Sequence, residues 1–270
     1  MARVVKVHAY GGPEALSVED ADPGRAAKGE ALIRQFAIGL NFIDVYHRTG
    51  LYPQPSMPFT PGMEGAGVVE AVGEGVTDLK PGDRVAYAGT LGGYAEVRRS
   101  AADRLVKVPA AIEDKTAAAM MLQGMTVRYL LRQTFFVQAG TVMLFHAAAG
   151  GVGLIACQWA RALGATLIGT VSTDEKAALA KAHGAAHVIN TKREDFVARV
   201  KEITGGRGCD VVYDSIGKDT FPASLECLRP KGLWVSFGNA SGPVRARGLK
   251  QGAGVGGRRR NRRAPCGRVD

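Results

Sequence analysis

The sequence predicts an α/β chain: a doubly wound parallel sheet preceded by a smaller β-rich domain. Three observations carry that expectation. Residues Thr141 to Leu163 read TVMLFHAAAGGVGLIACQWARAL, an apolar run that meets Gly150, Gly151 and Gly153 and then continues as an amphipathic helix. From there to Phe237, apolar β-type runs alternate with helical stretches, the rhythm of parallel strands joined by right-handed crossovers. The first 110 residues instead hold short β-type runs broken by Pro-Gly, Gly-Asp and Gly-Gly turns, the spacing of a small barrel or twisted sheet.

In chain order, strands are expected at Arg3 to Tyr10, Glu30 to Ile38, Gly65 to Val72, Arg84 to Tyr87 and Tyr94 to Arg98. An apolar-rich helical segment, Glu113 to Gln133, follows. Residues 1–112 and 113–243 are therefore expected to form two domains joined without a floppy linker, with a substrate cleft between them. Val142 to Phe145 opens the parallel sheet, and Ala165 to Val171, Ala186 to Ile189, Asp210 to Tyr213 and Leu233 to Phe237 extend it. Helices are expected around Lys176 to His183, Glu194 to Thr204 and Thr220 to Leu228. Ligands of such sheets sit outside the carboxyl ends of the strands, so Ser215, Gly238 and Asn239 should lie near the glycine turn.

That turn indicates a dinucleotide. Written against the nucleotide fingerprint it is Ala148-x-Gly150-x-x-Gly153, where small residues allow a tight bend and bring helix N–H groups up to a pyrophosphate. A membrane span is excluded there by three glycines in four positions and by His146. The next strand ends at Ser172 and Thr173, with no carboxylate at its tip to bind a ribose 2′-hydroxyl. Lys176 follows, and Lys192 and Arg193 close the third strand, so the pattern favours a 2′-phosphate and hence NADPH. Asp174 argues the other way, either repelling phosphate or serving the following helix as an N-cap or first-turn residue.

The segments AIGLNFIDVYHRTGLYP (Ala37 to Pro53), PGMEGAGVVEAVGEGV (Pro61 to Val76), LKPGDRVAY (Leu79 to Tyr87), HAAAGGVG (His146 to Gly153) and VVYDSIG (Val211 to Gly217) carry a family resemblance. Through residue 243 the chain resembles the zinc-independent, zeta-crystallin-like quinone oxidoreductases of the medium-chain dehydrogenase/reductase superfamily. The resemblance implies a GroES-like β-barrel domain, a Rossmann domain and reduction of a small-molecule quinone by NADPH. It implies that Asn41, Phe42, Asp44 and Tyr46 lie beside nicotinamide and substrate. Tyr129, Gly151 and Val152 would follow the dinucleotide, and Ser172 and Lys176 the 2′-phosphate. Relatives commonly carry tyrosine where this chain has Thr191, so Lys192 is expected to supply that phosphate contact. Intact relatives are expected to be homodimers.

No metal is expected. A catalytic zinc needs about three convergent Cys, His or carboxylate ligands, yet the four cysteines, Cys157, Cys209, Cys227 and Cys266, form no C-x-x-C pair. Zinc-dependent relatives carry histidine where this chain has Met63, so Met63 and Glu64 are read as a core residue and a buried or turn-bracing carboxylate. The chemistry must then come from the coenzyme, with protein groups positioning donor and acceptor. Asn41 and Tyr46 are the candidates to hydrogen-bond a quinone oxygen as charge builds on it, at about 3 kcal/mol per donor. Tyr52 and Phe42 could supply aromatic walls. Reduction of an activated C=C bond would use the same hydride.

The formal net charge of +10 is concentrated in one place. From Val244 to Asp270 the chain carries eight arginines and one lysine against one aspartate, so the high pI says little about the folded body. Three readings of residues 244–270 stay open: a basic arm for nucleic acid, which would make the chain an NADPH-responsive nucleic-acid binder; a disordered linker; or the product of a shifted reading frame. Relatives continue with a segment that completes the sheet. Without it, the Rossmann domain would be incomplete and Leu233 to Phe237 an exposed edge. No apolar signal region follows Met1 and no 18-residue apolar run occurs, so a cytoplasmic protein without a membrane anchor is expected.

Overall fold

A computed structural model describes residues 1–244 and the backbone of residues 267–268. The described chain divides into two compact units, Met1–Leu122 and residues 123–244. Of the expected basic tail, Val244 and the backbone of residues 267–268 are described, and the rest, Cys266 included, lies outside the described residues.

In the first unit, β1 (Ala2–Val7) and β2 (Leu16–Ala21) form an antiparallel pair. β3 (Glu30–Ile38), α1 (Phe42–Arg48), β4 (Glu64–Val72), β5 (Arg84–Ala88), β6 (Val97–Ala101) and β7 (Val106–Lys107) follow, then α2 (Asp114–Tyr129). Strands β6, β3, β4, β5 and β7 make an antiparallel sheet in that order, with Ala31, Ile33, Val69, Leu79 and Val85 packed together on one face. The sequence placed a strand at Tyr94 to Arg98; it starts at Val97 instead. Tyr94 and Ala95 turn away, Tyr94 N–H bonding Pro61 O and Val5 N–H bonding Tyr94 O. Helix α1 and strands β2 and β7 were not anticipated.

The division between units falls inside α2, not at its start. Ala117 and Ala118, in its first half, pack with Ala66 and Ala86 of the antiparallel sheet, whereas Val127 belongs to the core of the second unit.

The second unit is the parallel sheet. Its elements are β8 (Val142–Phe145), α3 (Gly151–Ala162), β9 (Thr166–Val171), α4 (Asp174–Ala182), β10 (His187–Asn190), α5 (Phe196–Ile203), β11 (Cys209–Asp214), α6 (Ala223–Glu226) and β12 (Leu228–Ser236). Spatial order is β10, β9, β8, β11, β12, all parallel, so the winding reverses between β8 and β11. Both faces are covered, and successive residues go to opposite cores. Met143, Phe145, Leu167, Val211 and Tyr213 pack on one side, and Leu144, Ile168 and Val212 on the other. The helix expected over Thr220 to Leu228 shrinks to one turn, because Thr220 O–H bonds the Asp214 carboxylate and Leu228 already enters β12. The expected free edge is partly occupied: β13 (Gly267–Arg268) pairs antiparallel with Leu233 and Trp234. Among the described residues no helix is long and apolar enough to cross a membrane.

One close approach sets the geometry of the glycine turn. A Cβ at position 153 would lie 2.6 Å from Ala147 O and from Ala148 Cα, backbone atoms that cannot swing aside. At Gly150 the nearest atom would be 3.2 Å away, and its φ of −78° suits any residue. Gly153→Ala should therefore cost about 1–3 kcal/mol of stability, and Gly150→Ala less, about 0.5–1 kcal/mol, the cost of alanine at an N-cap. Chemical denaturation of the two variants checks this; equal midpoints would show that the turn is not held by backbone contact.

Candidate functional site

Both groups of candidate residues are built from turns at strand ends, and each is described within its own unit. In the first, β3 ends at Ile38 and the chain bends through Gly39 and Leu40 to Asn41, the extended N-cap of α1. Asp44, in the first turn of α1, accepts the Asn41 N–H at 2.9 Å and the Tyr94 O–H at 2.9 Å. The Asn41 carboxamide donates from Nδ2 to Glu64 Oε1 at 2.6 Å, and the other Glu64 oxygen accepts the Leu122 N–H at 2.7 Å. Glu64 is fully buried, and Gly39 makes room for it: a Cβ there would fall 2.1 Å from Glu64 Oε1.

Electrostatics follow from this packing. Burial pushes the Glu64 carboxyl up; the Asn41 and Leu122 donors pull it back, and the nearby Asp44 charge adds to the rise. Burial raises Asp44 likewise, against hydrogen bonds from the Asn41 backbone, Tyr94 and the Gly62 backbone. Burial and then Asp44 raise the Tyr94 phenol, while burial alone lowers His47.

Three of the aromatic candidates come together. Tyr46 is buried, with its ring 5.5 Å from Phe42 and 5.1 Å, edge-on, from Tyr52. Phe42 is 57% exposed, a large apolar surface beside Asn41. Asp44 is buried and held by the Asn41 N–H and the Tyr94 O–H, whereas Phe42 is exposed. A groove of about 340 Å³ in this unit is lined by Val5, Phe36, Ile38 and Tyr94, and by none of the predicted site residues.

In the second unit, Ala147 takes the left-handed conformation with φ of 55°, and Gly150 caps α3 without a side chain. Leu154 N–H to Gly150 O at 2.8 Å is the first bond of the helical ladder, so the amides of Gly151, Val152 and Gly153 precede it and head the helix dipole. Such a terminus takes an anion. Gln123 stands over it: a Cβ on Gly151 would meet Gln123 Oε1 at 2.0 Å. Tyr129 packs against the core on the α3 side of the sheet.

At the tip of β9, Thr173 caps α4 by accepting the Lys176 N–H, and Lys176 Nζ reaches Ser172 Oγ at 3.4 Å. Ser172 and Lys176 thus form one exposed polar pair. Asp174 does not oppose them. Its carboxylate binds Arg193 at 2.8 Å and accepts the Asn190 side-chain N–H at 2.8 Å. The expected trio of cations is reduced to Lys176 and Lys192, because Arg193 is spent on Asp174. Thr191 donates its hydroxyl to Val171 O.

The loops that follow β11 and β12 meet each other. Phe237 N–H bonds Asp214 O at 2.9 Å, Ala240 N–H bonds Ser215 O at 3.1 Å and Ser241 N–H bonds Ile216 O at 2.8 Å. Gly238 lies so close to Ser215 that a Cβ would fall 2.8 Å from its carbonyl oxygen. Ser215, Gly238 and Asn239 are therefore in one zipped double loop. Sequence reading missed the Asn41–Glu64 bond, Gln123 and the polar side chains behind Asp214. The motif Asn41-x-x-Asp44 is a helix-start signature that signals α1, not the Asn41–Glu64 bond.

Met63 is buried, and among the described residues no three His, Cys, Asp or Glu side chains converge closely enough to hold a metal ion. Cys157, Cys209 and Cys227 are buried free thiols, raised by burial to about 11, 12 and 12.

Comparison with known proteins agrees with this architecture. Residues 27–110 match the alcohol dehydrogenase GroES-like domain family and residues 151–253 the zinc-binding dehydrogenase family. A quinone oxidoreductase of Pseudomonas aeruginosa is 57% identical over 245 residues, 90% of this chain and 75% of that protein. The 2-haloacrylate reductase of a Burkholderia species is 48% identical over 255 residues, covering 91% of this chain and 76% of that one. The crystal structure of Escherichia coli quinone oxidoreductase complexed with NADPH superimposes with a TM-score of 0.90 at 53% identity, over 92% of this chain and 76% of that one. With a barrel-type first unit, a reversed parallel sheet and identities this high over three quarters of its relatives, the chain belongs to the quinone oxidoreductases of the medium-chain dehydrogenase/reductase superfamily.

Proposed function

We propose that this chain reduces a quinone by hydride transfer from NADPH, without a catalytic metal. The use made of Glu64 carries this reading. One of its oxygens is engaged by Asn41 and the other by the Leu122 N–H, and its neighbour Met63 is a buried thioether. A carboxylate so occupied holds an amide in place and is a poor ligand for a cation. A quinone suits such a site, since its carbonyls accept hydride without a strong Lewis acid.

NADPH, when bound, supplies the hydride. The chain's own residues bind, orient and stabilise. The amides of Gly151, Val152 and Gly153 receive the pyrophosphate, and the Ser172 hydroxyl with the Lys176 ammonium receives the 2′-phosphate, Lys192 adding charge. Ser215, Gly238 and Asn239 line the rest of the coenzyme surface. Asn41, oriented by Glu64, presents its amide to the carbonyl oxygen on which charge develops, and Tyr46 backs it within the Phe42–Tyr46–Tyr52 ring group. A second reading, reduction of an activated C=C bond, is favoured by the 48% identity to a 2-haloacrylate reductase.

Asn41→Ala should lower turnover of a benzoquinone about 100-fold while the NADPH dissociation constant stays within about twofold of wild type. Stopped-flow and fluorescence titration measure the two; unchanged turnover removes Asn41 from the mechanism. Lys176→Ala should weaken NADPH binding about tenfold and leave NADH binding unchanged. Equal loss for both coenzymes would place the 2′-phosphate elsewhere. Parallel assays with a benzoquinone and a haloacrylate separate the two substrate readings, and faster turnover of the acrylate would replace the first with the second.

A further inference from the structure

Behind the carboxyl edge of the parallel sheet runs a chain of buried polar side chains that the proposed reaction does not use. Thr170 Oγ1 lies 3.0 Å from His146 Nδ1, His146 Nε2 lies 2.9 Å from Ser224 Oγ, and Ser224 donates to Asp214 Oδ2 at 3.1 Å. Asp214 also accepts the N–H groups of Ile216 and Gly217 at 2.9 and 3.0 Å, the Thr220 hydroxyl and the Trp234 indole N–H. His146 is 1% exposed, and Asp214 and Ser224 are fully buried. Among the described residues neither Asp214 nor His146 takes part in an ion pair with a lysine or arginine.

The hydrogens in this chain can be ordered in one way. Every partner of Asp214 is a donor, so the carboxylate only accepts. Ser224 has a single hydroxyl hydrogen and gives it to Asp214, so its oxygen must accept from His146 Nε2–H. Nδ1 is then the acceptor for the Thr170 hydroxyl, and His146 is the neutral Nε2–H tautomer. Burial disfavours the charged imidazole, with Asp214 partly opposing that effect.

Its position is at the switch point of the sheet. It joins β8 to β11, the two strands between which the winding reverses. His146 immediately precedes the left-handed Ala147 that begins the glycine turn, and its own N–H bonds Tyr213 O at 3.0 Å. At the other end, Asp214 shapes the loop that carries Ser215, which is zipped to the loop of Gly238 and Asn239. Ordinary apolar packing would fill this space without fixing either loop.

We propose that His146, acting through Ser224 and Asp214, is a positioning residue for the coenzyme: it locks the glycine turn to the double loop, so both halves of the dinucleotide surface are set before the dinucleotide arrives. The proposal rests on the reading that this edge binds NADPH. Preorganisation of this kind acts on affinity, because loops already ordered cost less to immobilise.

The test is calorimetric titration of the full chain with NADP⁺. Wild type should bind; if it does not, the coenzyme assignment fails, a result separate from this proposal. Ser224→Ala and His146→Phe should each weaken binding about tenfold, the effect of one buried donor left without its acceptor. His146→Gln, which keeps an N–H that can reach Ser224, should recover most of the loss. Turnover at saturating NADPH should stay within about twofold in Ser224→Ala, since the effect lies in binding. Wild-type affinity in Ser224→Ala, or His146→Gln as weak as His146→Phe, would overturn the proposal. If His146→Phe does not fold, Ser224→Ala decides alone.

Discussion

Helix α3 begins in backbone contact with the turn that precedes it, and much of the second unit depends on how near it comes. Because residue 153 has no side chain, the first turn of the helix settles against Ala147 and Ala148. That contact puts a row of amide donors at the carboxyl edge of β8, next to the point where the winding reverses. A bulkier residue would lift the helix, and the positive end of its dipole would move off the strand ends. The buried His146–Ser224–Asp214 chain then works within a frame already defined by this approach.

In the first unit the organising element is a carboxylate that has no basic ion-pair partner among the described residues. Glu64 is buried at an energetic cost, and its two oxygens are met by an amide side chain and a backbone N–H. Those two donors come from the N-cap of α1 and from α2, so one buried charge ties a loop to a helix. Asn41 is consequently oriented by protein contacts before any substrate is present. Rigidity of that kind is what the role proposed for Asn41 requires.

How much of this could be read from residues alone varied with the periodicity. The parallel sheet was legible because β8, β9, β10 and β11 are short apolar runs separated by helices of ordinary length. Helix α1 was not, since Phe42 to Arg48 mixes exposed and buried residues over only seven positions. Strand β6 was misplaced by three residues because Tyr94 and Ala95 have β-type side chains but bond to Pro61 and to β1. Site residues joined by local turns, such as Ser172 with Lys176, were recoverable. Those joined across long separations, Asn41 with Glu64 or His146 with Ser224, carry no local pattern that would pair them. The role of Asp174 changed for the same reason, since its partner Arg193 comes from the loop after β10.

The two polar groups of the second unit, Ser172 with Lys176 and the chain behind Asp214, differ in how they meet the solvent. Ser172 and Lys176 are exposed, so whatever attraction they exert on a phosphate is shared with dissolved ions and fades beyond a Debye length of about 8 Å at physiological ionic strength. Asp214 and His146 are shut away and joined through uncharged hydroxyl and indole groups, which mobile ions do not reach. Changes in ionic strength should therefore act on the Ser172–Lys176 pair and leave the buried His146–Asp214 chain untouched. Under the proposed assignment of that pair to a 2′-phosphate, discrimination between phosphorylated and unphosphorylated coenzymes is tied to the salt content of the surroundings, while the shape of the buried chain is not.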